Sequence, residues 1–127
     1  MALRSTLGRV RGLGSAKEGV THFWHQRVTA VALVPLTIWF VASVIALAGS
    51  DFAAYHAWIA RPYNTTLMVL LIAMVFYHGA LGAQVVIEDY VHGEGTRLAS
   101  LIVMKFALLL LGVFSAVAVL RVAFAGG

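Results

Sequence analysis

The chain has 127 residues, 61% of them hydrophobic and 11% charged, with a formal net charge of +4 and no cysteine. At a mean hydropathy of +0.92, and with far less charge than the roughly 25% of an ordinary soluble domain, a chain this short has too little interior to hide its apolar surface from water. A soluble fold is therefore excluded in favour of a single membrane domain over residues 1–127, and the absence of cysteine excludes disulfides, thiolate-held zinc and iron–sulfur clusters within the chain.

Residues 1–27 come first and carry Arg4, Arg9, Arg11, Lys17 and Arg27. Such a basic cluster ahead of an apolar run is the flank of a membrane span more often than a nucleic-acid surface, so no nucleic-acid partner is expected. A secretory signal places its apolar core soon after a short basic region. Here about 25 polar, glycine-bearing residues intervene, and the segment reads as part of the mature protein. No amphipathic, serine-rich presequence is evident either, which points to a bacterial inner (plasma) membrane.

Three stretches are long and apolar enough to cross a bilayer as helices, which takes about 20 residues. The first, at about 28–48, has no charge and contains Pro35, which a membrane helix tolerates as a kink. The linker 49–65 follows, with Tyr55, Trp58 and Tyr63 suited to an interfacial aromatic belt. The second span covers about 66–87, a short acidic linker covers 88–97, and the third span covers about 98–124. The expected fold is an all-α membrane protein of three transmembrane helices. Most basic residues precede the first span, so the positive-inside rule puts the N-terminus in the cytoplasm and the C-terminus in the periplasm. Arg27 and the Glu88-Asp89-Tyr90 segment then share the cytoplasmic side.

Ionisable groups inside a membrane are costly, and only His78 and Lys105 lie well inside these spans. Lys105 sits roughly 10 Å into the third span, from where its stem can snorkel to the headgroups. His78 has no such escape. It needs a hydrogen-bond partner on another helix, a proton-relay role, or a metal. The small residues that follow it, Gly79, Ala80, Gly82 and Ala83, admit either a neighbouring helix or a flat macrocycle. Asp89 follows His78 by eleven residues, about 20° away around a continuous helix and roughly 16 Å along it. Tyr90 points about 120° away. It is either an interfacial anchor or a phenol donor to a ligand oxygen. Arg27 is a basic flank and can also pair with a propionate or phosphate, with His22 and His25 close by.

The stretch His78 to Tyr90, HGALGAQVVIEDY, has the form H-x3-G-x3-V-x2-D-Y, and Arg27 to Ala30 reads R-x-T-A. Together with the layout of three spans, these residues resemble the hydrophobic membrane anchor of succinate dehydrogenase (complex II, succinate:quinone oxidoreductase). The resemblance implies a chain that is not catalytic alone. It would work with a larger cytochrome b556-type anchor subunit, an iron–sulfur subunit and a flavoprotein subunit, in contact with membrane lipid. The two anchors would share a haem b and form the ubiquinone-reduction site. His78 would be the axial haem ligand, Arg27 would lie near the haem propionates, and Tyr90 and Asp89 would bind the quinone. Some relatives have a histidine six residues before the arginine, where this chain has Thr21. Alternatives of other kinds are a fumarate reductase anchor, an accessory subunit of another respiratory complex that binds no cofactor, and a small proton-coupled transporter. The transporter is disfavoured because no acid lies at mid-membrane depth.

Overall fold

The structure is a computed structural model that describes residues 6–12 and 17–125. Arg4 of the basic segment lies outside the described residues. The chain forms a short helix α1 (Thr6–Val10), then α2 (Lys17–Leu47), α3 (Phe52–Ile59), α4 (Pro62–Tyr90) and α5 (Glu94–Phe124), and no strand occurs among the described residues. Three helices, α2 from Gly19 onward, α4 and α5, are long and apolar enough to cross a membrane.

Each helix runs beyond the apolar core seen in sequence. The 31 residues of α2 span about 46 Å, well over the roughly 30 Å of hydrocarbon. The helix begins at Lys17, so the stretch around Arg27 is helical rather than a flanking coil, and it continues through Pro35. It ends at Leu47, and the chain turns at Gly49, whose φ of +79° is open to glycine at little cost.

The 49–65 stretch is a structured corner rather than a simple linker. The Asp51 carboxylate caps α3 by accepting from the Ala54 N–H at 2.9 Å. Trp58 of α3 stacks on Trp39 of α2, with ring centroids 5.7 Å apart. Pro62 then opens α4 at a position where its missing N–H costs nothing. Asn64, only 1% exposed, donates to the Trp58 carbonyl at 2.8 Å, and Thr65 donates to the Ile59 carbonyl. These two buried polar side chains fix the angle between α3 and α4.

α4 is the middle helix. It packs against α2 on one side and α5 on the other, while α3 rests against α4 and α5. The α4–α5 contact is close at Gly112, where a Cβ would come within 3.2 Å of the Phe76 ring. Among the described residues the buried apolar side chains are only Ile59, Leu71, Leu81 and Ala123. Val31, Ile45, Leu110 and Phe114 face outward, and the most apolar stretch of each spanning helix is unburied. Helices apolar on every side need lipid or another protein around them.

Candidate functional site

The α2–α4 seam holds the polar residues. On α2, His22, Gln26 and Thr29 fall at i, i+4 and i+7 and so share one face. Thr29 is 5% exposed. Its hydroxyl donates back to the His25 carbonyl at 2.7 Å, with the Gln26 carbonyl at 3.0 Å. Thr29 Oγ1 also lies 3.0 Å from His78 Nδ1 across the seam. A hydroxyl has one hydrogen, and carbonyls can only accept. With that hydrogen given to the backbone, His78 Nδ1–H is the donor and Thr29 the acceptor. The lone pair of the neutral imidazole is then on Nε2. No hydrogen bond reaches Nε2 among the described residues.

A second bridge lies beside the first. The Tyr77 hydroxyl and His25 Nδ1 are 2.7 Å apart, with ring centroids separated by 6.0 Å. Toward the Tyr90 end the seam is polar but incomplete. His22 Nε2 and Gln26 Oε1 are buried without a hydrogen-bond partner among the described residues, a costly state for buried polar atoms. Gly82 makes room here, since a Cβ on it would stand 3.7 Å from Gln26 Nε2. The residues after His78 thus serve different directions. Gly82 faces α2, Leu81 is buried, and a Cβ on Gly79 would meet nothing within 4 Å.

The other residues singled out in sequence are dispersed. α4 persists to Tyr90, so Asp89 does lie on the His78 side of the helix, nearer its end. Asp89 is exposed, and Tyr90 is 78% exposed. Their side chains make no hydrogen bond among the described residues, whereas Glu88 accepts from Gln84 at 2.8 Å. Arg27 is not brought to His78. It lies about 200° around α2 from Thr29, with its guanidinium 5.2 Å over the Phe23 ring. Lys105 is exposed and, with Gln84, borders an apolar groove of about 610 Å³ between α4 and α5, on the face of α4 turned away from His78.

A family model described as the succinate dehydrogenase/fumarate reductase transmembrane subunit matches residues 1–119. The chain belongs to this family. It is similar to the succinate dehydrogenase hydrophobic membrane anchor subunit of Rickettsia bellii, with 34% identity over 102 residues, covering 80% of this chain and 82% of the relative. The corresponding subunit of Paracoccus denitrificans is 37% identical over 91 residues, covering 72% and 70% of the two chains. The succinate dehydrogenase membrane anchor subunit of Reclinomonas americana is 32% identical over 92 residues, covering 70% and 77%. With three helices able to span a bilayer, this family member is a multi-pass bacterial membrane protein of the succinate dehydrogenase anchor type.

Three participants at the site escape a reading of single residues. Thr29 sits inside the R-x-T-A stretch, but its partnership with His78 spans 49 positions. His25 and Tyr77, 52 positions apart, are each ordinary interface residues in isolation. The available signal was the pairing of a hydroxyl at the start of one span with a lone imidazole in the next.

Proposed function

We propose that this chain is the anchor subunit that, with a larger second anchor, holds a haem b through His78 and borders a ubiquinone-reduction site with Tyr90 and Asp89. The observation that carries the reading is the state of His78: a membrane imidazole whose Nδ1 is committed to Thr29, with Nε2 open. That donor fits an axial position on haem iron. The surface beside it is also clear of this chain's own atoms at Gly79. When bound, haem would supply a one-electron store between the clusters of the iron–sulfur subunit and the quinone. One histidine here leaves the second axial position to the other anchor.

The basic flank favours a cytoplasmic N-terminus, which puts Tyr90, Asp89 and Arg27 on the cytoplasmic side. Quinone reduction consumes two electrons and two protons, so a site at that surface has protons at hand. The Tyr90 phenol donates to a quinone carbonyl and stabilises the negative charge that develops on its oxygen. The neighbouring Asp89 carboxylate orients polar groups around it. Arg27 faces away from the His78 contact, over the Phe23 ring, and its guanidinium would be the group available to pair with a propionate. The large unburied apolar faces are consistent with that partner.

The test is extraction of an affinity-tagged chain in mild detergent, followed by identification of co-purifying subunits and cofactors. The reading predicts a flavoprotein, an iron–sulfur subunit, a second anchor and a b-type haem band, with succinate-dependent ubiquinone reduction. Recovery of the same assembly with preferential fumarate reduction would assign the fumarate reductase direction. Recovery with another respiratory complex and no haem would replace the proposal with an accessory role.

A further inference from the structure

We infer that Thr29 is a positioning residue for the iron ligand: its hydroxyl holds His78 in the Nδ1–H tautomer, sets the angle of the ring and strengthens electron donation from Nε2. The inference rests on the reading of His78 as an axial ligand. A neutral imidazole carries one N–H and can place it on either nitrogen, and the hydrogen bond made by one nitrogen decides what the other can do. Thr29 is built to make that choice. It is β-branched and buried in a helix, so its χ1 is confined. Its hydroxyl hydrogen is turned back to the His25 and Gln26 carbonyls at 2.7 and 3.0 Å. Its lone pairs therefore face His78, and Nδ1 stands 3.0 Å away. A tautomer with hydrogen on Nε2 would turn the Nδ1 lone pair toward that oxygen and close the coordinating nitrogen.

The bond also couples the ligand to the packing of α2 on α4. Tyr77 and His25 are joined at 2.7 Å beside it, and His25 supplies the carbonyl that takes the Thr29 hydrogen. The ring of His78 is thus referenced to two helices rather than to its own side-chain torsions. A ligating histidine that donates its other N–H is a stronger base, and loss of such a partner commonly costs 10- to 100-fold in metal affinity or activity. Stronger donation favours ferric over ferrous iron, so Thr29 lowers the haem midpoint potential.

The experiment uses the whole complex purified with wild-type chain, Thr29→Val, Thr29→Ser and His78→Leu. Its readouts are haem per flavin, the haem midpoint potential and the low-temperature electron paramagnetic resonance of the ferric haem. Thr29→Val keeps the shape and removes the acceptor. It is expected to weaken the ferric form about tenfold relative to the ferrous, raising the midpoint by about 59 mV for one electron, and to shift the ferric signal. Thr29→Ser is expected to restore both. If Thr29→Val does not assemble, Thr29→Ala is measured in its place with the same expectation. An unchanged midpoint and signal without the hydroxyl, or a serine variant displaced as far as valine, overturns the inference while haem loss in His78→Leu leaves the ligand reading standing. Haem unaffected by His78→Leu removes the ligand reading and this inference together.

Discussion

Replacing Gly112 with valine tests the claim that α4 and α5 are held by backbone approach at a small residue. A Cβ at Gly112 would lie 3.2 Å from Phe76 Cγ and 3.4 Å from two further atoms of that side chain. Carbon atoms prefer about 3.5–4.0 Å, so Cβ alone intrudes by a few tenths of an ångström. Valine adds two further carbons and has one favoured rotamer in a helix, leaving no direction of escape. Overpacking of this kind costs about 1–3 kcal/mol, more than the few tenths gained by replacing glycine with a better helix former. The assay is the thermal inactivation midpoint of the detergent-purified complex, for Gly112→Val, Phe76→Leu and the pair. The single valine variant should lose thermal stability, and Phe76→Leu should relieve much of that loss, because residues in contact are not additive. A valine variant as stable as wild type, or a double variant that loses the sum of the two effects, would refute the close approach.

Tyr90→Phe removes the phenol donor proposed for the quinone. A hydrogen bond to a group gaining charge is worth about 1.5–3 kcal/mol, so succinate–quinone turnover should fall roughly 10- to 100-fold while succinate oxidation with a soluble dye is unchanged. Asn64→Leu strips the Trp58 carbonyl of its buried donor. It should destabilise the corner by about 1–3 kcal/mol, seen as a lower inactivation midpoint without a change in the haem spectrum. Lys105→Met should leave haem content and quinone turnover near wild type, since an exposed lysine that snorkels contributes little beyond its apolar stem.

The spans and the lone imidazole were legible because both follow from the cost of polarity in lipid: a run of apolar residues near 20 long, and one histidine with nowhere to go. The eleven-residue spacing of His78 and Asp89 was legible because α4 has no break before Tyr90. Helix ends were not, since lipid sets only the apolar middle. α2 reaches back to Lys17 and α4 to Pro62 because helix hydrogen bonding continues where hydrophobicity stops. α3 was hidden for a related reason. It is only eight residues long, and its stability comes from Trp39, Asn64 and Thr65, which lie outside it. Arg27 reads in sequence as a neighbour of the haem site, but its helical phase turns it away from Thr29. That phase could be assigned only once the start of the helix was known. The only sequence signal for Thr29 was a hydroxyl at the start of one span and a lone imidazole in the next, and the register of α2 against α4 is what joins them.

The most direct measurement is the dithionite-reduced minus oxidised spectrum of the purified complex, with wild-type chain and with His78→Leu, at matched flavin content. The account predicts a b-type haem band in the wild type that is lost or displaced in the variant, with the flavoprotein and iron–sulfur subunits still present. An undisturbed band in the His78→Leu complex would contradict it and remove His78 as the iron ligand.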